Sequence, residues 1–180
     1  MTFPKPYADF VQRFRVPGGF LLLGAFVWLS QPTWLSIAAS APAWLAGMWL
    51  RAWAAGHLAK NEQLAQSGPY AQTRNPLYLG SLLVTAGVVI ASRHAGLAAL
   101  FAGAFVLIYL PVIQLEEEHL RKLFPEYAGY AKRVPSLWPR WRRERGRARF
   151  QWALYRKNKE WKAVSGMLFA FVLLVVKAAW

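Results

Sequence analysis

The sequence contains no cysteine. Disulfides, thiolate catalysis and Cys-ligated metals are thereby excluded, while the redox compartment stays open. Acidic residues are scarce: 8 Asp and Glu stand against 22 Lys and Arg, for a net charge of +14. Charge of either sign is missing altogether from residues 16–50, 75–92, 95–115 and 163–176. A soluble nucleic-acid binder could carry the excess positive charge, but not beside such long uncharged runs, so no nucleic-acid partner is expected. There is no Walker motif, no GxGxxG after a strand and no GxSxG, which leaves soluble nucleotide-binding folds and serine hydrolases without support. The N-terminus, MTFPKPYADFVQRFRVPGG, lacks the n-region, h-region and small-residue cleavage site of a removable signal peptide.

What is abundant is apolar: 56% of residues are hydrophobic and 10 are Trp. A spanning helix needs roughly 20 mainly apolar residues. The chain therefore reads as an all-α, polytopic integral membrane bundle, one domain over residues 1–180. The 35-residue uncharged stretch is too long for one helix, and SQPTW (30–34) breaks it, because Pro removes a backbone donor and disfavours helix at the preceding residue. About five transmembrane helices are predicted, over 11–30, 34–56, 76–92, 96–123 and 155–178. A polar, basic segment separates the last two, and Trp161 and Trp180 stand where interfacial anchors would.

If the N-terminus is cytoplasmic, this topology puts 20 of the 22 Lys and Arg inside and leaves only Arg93 and Lys177 outside. That bias follows the positive-inside rule. It also puts two polar motifs on the same cytoplasmic side.

The first motif is GPYAQTRNPLYLG (68–80). Gly68-Pro69 signals a turn, and Asn75-Pro76 can open a helix with Pro at its first position, where a missing N–H costs nothing. One reading is an interfacial loop, with Arg74 snorkelling to lipid phosphate and Tyr70 and Tyr78 in an aromatic belt. The other is an anion-friendly corner made by Arg74 and the helix N-terminus.

The second is IQLEEEHLRKLFPEYAGYAKRVPSLWPR (113–140). Three adjacent carboxylates at a helix C-terminus oppose the macrodipole and require compensation. Either they form a solvated turn paired with Arg121 and Lys122, or Glu116 and Glu117 face inward and hold a cationic ligand. At helical spacing those two share a face with Leu120, whereas Glu118 and Arg121 point elsewhere. His57, Lys60 and Glu62 invite a metal or acid–base reading, but no second His lies at a ligand spacing, so no metal is expected. His119 reads as a surface residue of the basic segment. RWRRERGRARF (140–150), beside a membrane, reads as attraction to anionic headgroups at roughly 1 kcal/mol per basic residue, extending over 140–162.

In order and spacing, SGPYAQTRNPLYLG, the helix ending in EEEHL and LFPEYAGYAKRVP resemble the isoprenylcysteine carboxyl methyltransferase and phospholipid methyltransferase superfamily of integral membrane enzymes. The resemblance covers about residues 45–140; the final helix lies outside it. It implies methyl transfer from S-adenosyl-L-methionine, in a pocket at the cytoplasmic face, to a lipid-like acceptor arriving from the bilayer. Carried over by motif, Glu62, Gln63, Leu64 and Ala65 match the run of cofactor contacts ahead of the Gly-x-Tyr turn, and Tyr70 matches its Tyr. Asn75, Pro76, Leu77 and Tyr78 match the His-Pro-x-Tyr element, and Glu116 matches the first carboxylate of the Glu-Glu pair. Many members have His where this chain has Asn75, so only hydrogen bonding remains there. Eukaryotic prenylcysteine enzymes carry an Arg where this chain has Val112, which removes the feature on which a prenylcysteine carboxylate would rest.

The implied donor is a sulfonium that also bears an amino group and a carboxylate. Glu116, with Glu117, suits its positive charge; Arg74 suits a carboxylate and is the catalytic candidate; Tyr70, Tyr78, Leu64 and Pro76 can enclose the adenine. Sterol reductases resemble the same architecture and would bind NADPH, although the Glu-Glu-x-x-Leu pattern favours methyltransferases. A non-enzymatic membrane scaffold with a polybasic segment is the third reading.

Overall fold

The computed structural model describes residues 3–140 and 149–180. Among them the regular structure is entirely helical. Helix α1 (Lys5–Leu29) starts six residues before the predicted boundary and bends by 57° at residue 15. Pro17 lies just beyond the bend, where its ring and missing N–H disrupt the ladder. Helix α2 (Trp34–Ala55) opens with a reciprocal cap: Ser36 N–H donates to the Thr33 hydroxyl at 3.2 Å, and Thr33 N–H to the Ser36 hydroxyl at 2.9 Å. Ser36 also donates to the Ala91 carbonyl at 2.9 Å, tying this end of α2 to the end of α3.

Helix α3 (Pro76–Ser92) has the predicted bounds. Asn75 precedes its N1 proline, and Arg93, left-handed at φ 54°, terminates it. Helices α2 and α3 approach along small residues. A Cβ on Gly47 would sit 2.6 Å from the Gly80 carbonyl oxygen, and one on Gly87 would sit 3.0 Å from Trp44 Cβ. Backbones this close allow dispersion contacts that larger residues would prevent.

A continuous 29-residue helix, Ala95–Leu123, follows. It comprises α4 (Ala95–Ala104), a π-helical turn (Phe105–Tyr109) and α5 (Leu110–Leu123). Pro111 explains the wide turn, since it cannot donate to Leu107 four residues back. The freed Leu107 carbonyl accepts instead from the Tyr7 hydroxyl of α1 at 2.7 Å.

Helix α6 (Tyr127–Arg133) interrupts the segment expected to be merely polar and basic. The predicted last helix is split into α7 (Trp152–Lys157) and α8 (Glu160–Ala179). Lys159 takes a left-handed conformation at the break, while the Asn158 amide donates to the Ala55 and Leu58 carbonyls at 2.9 and 2.8 Å. Of the basic segment expected at anionic headgroups, residues 141–148 lie outside the described residues.

Among the described residues, two helices are long and apolar enough to cross a membrane, Ala95–Leu123 and Glu160–Ala179, and the bent α1 pair makes a third if it is one span. Helix α3 is apolar but has only 17 residues, about 26 Å at 1.5 Å per residue. Apolar side chains such as Leu21, Trp28 and Leu35 stand outward on α1 and α2 at 77%, 86% and 81% exposure, a surface suited to lipid rather than water. Inside, Phe26, Ile37, Ala91, Leu97 and Leu174 form one core, at the end of the bundle where α1 and α3 finish. Tyr127, Tyr130 and Val134 form a second, packed on Leu64, Leu120 and Phe124.

Candidate functional site

The two motifs meet through the backbone. Arg74 N–H donates to the Pro135 carbonyl at 2.9 Å, Asn75 N–H to Ser136 at 3.1 Å, and Arg140 N–H to Gln72 at 3.1 Å. The Thr73 hydroxyl adds a bond to the Ser136 carbonyl at 2.9 Å. Residues 72–75 are thus pinned beside 135–140 immediately before α3, which fixes where Arg74 and Asn75 project.

Glu117 is the hub of this seam. It accepts from the Asn75 amide at 2.8 Å and the Ser136 hydroxyl at 2.7 Å on one oxygen, and meets Arg74 at 3.2 Å on the other. Glu116 points differently and accepts from the Tyr78 hydroxyl at 2.9 Å. Glu118 accepts from Gln114 at 3.0 Å. Each carboxylate of the EEE run therefore receives a donor, which offsets the unfavourable macrodipole. Arg121 lies over the Tyr127 ring, 6.0 Å from its centroid.

In front of the seam is a cavity of about 900 Å³, within the usual range of small-molecule sites, roughly 300–1,000 Å³. Its walls include Gln63, Leu64, Ala65, Tyr70, Arg74, Asn75, Pro76, Leu77, Tyr78 and Glu116. Two predicted residues are not among them. Glu62 turns outward and pairs with Lys157 of α7. Glu117 stays behind the wall because three donors hold it there. His119, read from sequence as a surface residue, lines the cavity one turn after Glu116.

Sequence reasoning missed Arg51, Ser81, Tyr109 and Asn158, which also line it. Arg51 did carry a signal, as the charge that ends the uncharged stretch 16–50. Asn158 carried none.

A second, apolar groove of about 250 Å³ runs between α3 and α4, with Leu82, Val89 and Phe101 in its walls. Tyr78, Ser81 and Tyr109 line both spaces, so the groove adjoins the polar cavity at these residues. The rings of Tyr78 and Tyr109 meet edge to face at 6.2 Å.

Among the described residues, two buried polar atoms have no partner of ordinary geometry, Arg74 Nε and the Tyr127 hydroxyl. Burial pushes the phenols of Tyr70, Tyr127 and Tyr130 well above their usual range, and the Glu117 carboxylate adds to this at Tyr127 and Tyr130. All three stay protonated, and Tyr130 donates to the Tyr70 carbonyl at 2.8 Å. Among the described residues, no group of three His, Asp or Glu side chains could hold a metal ion.

An all-helical protein with membrane-length helices, and a mixed-polarity cavity adjoining an apolar groove, is the class defined so far. Its family is the phospholipid methyltransferase family, to which the chain belongs: the family's model matches residues 35–127, in agreement with the superfamily resemblance read from the motifs. The chain is similar to the cobalt-zinc-cadmium resistance protein CzcN of Cupriavidus metallidurans, at 33% identity over 130 residues, covering 71% of this chain and 59% of the relative. It is also similar to the nickel-cobalt-cadmium resistance protein NccN of Alcaligenes xylosoxydans xylosoxydans, at 33% identity over 150 residues, 76% of this chain and 70% of the relative. The chain thus spans about three fifths of the length of the Cupriavidus relative. No solved structure matches it significantly.

Proposed function

We propose that the chain is an S-adenosyl-L-methionine-dependent methyltransferase that transfers a methyl group to a carboxylate or other polar group of a lipid-like acceptor. The observation that carries this reading is the shared cavity of Glu116 and Arg74, one held by Tyr78 and the other retaining a buried, unpartnered Nε. A cavity-facing carboxylate and an unsatisfied guanidinium N–H suit the amino and carboxylate ends of one zwitterionic ligand. Leu64, Pro76, Tyr70 and Tyr78 supply the apolar and aromatic walls that adenine requires.

When bound, the cofactor supplies an electrophilic methyl group on a sulfonium. The chain's own residues bind, orient and exclude water. Glu116 stabilises positive charge, Tyr78 fixes the Glu116 rotamer, and Arg74 anchors a carboxylate, steadied in turn by Glu117. Positioning of this kind can supply on the order of 7–11 kcal/mol of barrier reduction. The apolar groove, meeting the cavity at Tyr78 and Tyr109, suits the acceptor's tail.

In the bilayer, α1, α2, α3, the Ala95–Leu123 helix and α8 form five membrane segments, with the N-terminus and the cavity on the cytoplasmic side as the Lys and Arg distribution directs. The basic segment 140–162 rests on anionic headgroups. If the chain shares the metal-resistance setting of its relatives' names, it acts there by modifying a membrane component.

The test is a thermal-shift comparison on the purified chain. S-adenosylhomocysteine raises the melting temperature because it binds only the folded state, and NADPH does not. Stabilisation by NADPH alone would favour the reductase reading, and stabilisation by neither the scaffold.

A further inference from the structure

Arg51 and Glu160 lie 109 residues apart in the sequence and meet beside the cavity. Arg51 Nε donates to Glu160 Oε1 at 2.6 Å and its terminal nitrogen to Oε2 at 3.1 Å. The other terminal nitrogen donates to the Leu77 carbonyl at 3.2 Å and to the Ser81 hydroxyl. Arg51 is only 16% exposed and Glu160 only 6%. Arg51 lines the polar cavity, and Ser81 lines both that cavity and the apolar groove. The guanidinium therefore stands at the neck between the two spaces.

Glu160 is the first residue of α8, well past the family-matched residues 35–127. The segment that delivers it is firmly tied. Gln151 N–H donates to the Gly56 carbonyl at 2.9 Å, and Asn158 holds the Ala55 and Leu58 carbonyls. Phe150 packs so closely on Gly56 that a Cβ there would fall 2.2 Å from its ring.

A shielded arginine at the neck would by itself be a strong anchor for an anionic head group. Here four of its five N–H groups are already engaged, two of them by a carboxylate in bidentate register. An incoming carboxylate or phosphate would have to displace Glu160 and then lie against it, two like charges in a poorly solvated place. We propose that Glu160 determines head-group specificity: by neutralising Arg51 it closes the neck to bare anions and admits apolar-tailed acceptors whose heads are neutral or cationic. The inference rests on the reading of groove and cavity as the acceptor's site and narrows it.

The test uses three photo-crosslinking amphiphiles with one diazirine-bearing dodecyl tail and an alcohol, amine or phosphate head. The full chain is held in phosphatidylcholine nanodiscs, and labelled peptides are mapped to the α3–α4 groove. In the wild type the alcohol and amine probes label the groove, and the phosphate probe labels it about tenfold less. In Glu160→Gln the phosphate probe gains about tenfold over the alcohol probe, and in Arg51→Gln/Glu160→Gln that gain disappears. If Glu160→Gln does not accumulate, Arg51→Gln serves, and there the amine probe gains over the alcohol probe by a similar factor. A phosphate probe that labels wild type as strongly as the alcohol, or variants that weaken all three probes alike, would overturn the proposal. Loss of the S-adenosylhomocysteine shift with the head-group preference intact would instead sink the methyltransferase reading alone.

Discussion

The Arg74 guanidinium lies 3.2 Å from Glu117, while the neighbouring Glu116 is bonded by Tyr78 and faces the cavity. Two carboxylates adjacent in sequence have thus separated into an internal anchor and a cavity-facing group. Glu117→Gln leaves Arg74 without its counter-charge in a place where each partner is less than one-fifth exposed, and should destabilise the fold by about 2–3 kcal/mol. Glu116→Gln should change stability by less than about 0.5 kcal/mol yet lower S-adenosylhomocysteine affinity by at least about tenfold. Chemical unfolding and titration calorimetry read the two effects, and the opposite pattern would exchange the roles.

That ion pair also changes how Arg74 should be probed. Alanine would remove a cavity residue and strand Glu117 at once, confusing function with folding. Arg74→Lys keeps the charge but loses the fork and the free Nε. The variant should fold, with a melting temperature within a few degrees of wild type, and turn over about a hundredfold more slowly. Near-normal activity in the lysine variant would remove Arg74 from the catalytic account.

How far the sequence disclosed these arrangements depended on range. Helix α3 was legible to the residue because Asn75-Pro76 marks its start locally and its uncharged run ends before Arg93. Helix α6 was not, since seven residues are too few to display a period, and its burial depends on Tyr130 reaching Tyr70 across the fold. The break at Lys159 was hidden for a similar reason, being tied by Asn158 to carbonyls about a hundred residues away. Glu117 was grouped with Glu116 because helical spacing gives two neighbours a similar direction; only the seam with Ser136 separates them. Arg51 was visible as a charge, but its meaning required Glu160, and nothing local connects the two.

The buried phenols predict a pH dependence. Their pKa values are raised in the folded protein, so folding holds these protons more tightly than the unfolded chain does. The stabilisation is fully present below the ordinary tyrosine value, about 10, and is lost as pH rises above it. Melting temperature in detergent should fall steeply from about pH 10 upward. Tyr130→Phe should shallow that slope while costing about 1 kcal/mol at neutral pH through its lost bond to Tyr70. A profile flat through this range would contradict the burial.

At the far end of the bundle, Lys177 donates to the Val27 and Ser30 carbonyls at 2.7 and 2.6 Å and so caps α1. These carbonyls lie in the last turn and the cap of α1, where α-helical donors run out. Lys177→Met should lower stability by about 1–2 kcal/mol and leave S-adenosylhomocysteine affinity unchanged. A change in affinity would mean that the two ends of the bundle are coupled.

Tyr78 offers the sharpest separation of binding from chemistry. Its hydroxyl holds Glu116, its ring stacks edge-on to Tyr109, and it lines both the polar cavity and the apolar groove. Tyr78→Phe preserves the ring and the wall but releases the Glu116 carboxylate to sample other rotamers. Cofactor affinity should drop about tenfold, in step with the Glu116 variant, while labelling of the groove by an alcohol-headed amphiphile stays the same. In Tyr78→Ala the wall itself opens, and both should fall. Because Tyr78 and Glu116 act on the same interaction, adding Tyr78→Phe to Glu116→Gln should cost little more than Glu116→Gln alone. Additive losses in that double-mutant cycle would show that Tyr78 meets the cofactor directly rather than through Glu116.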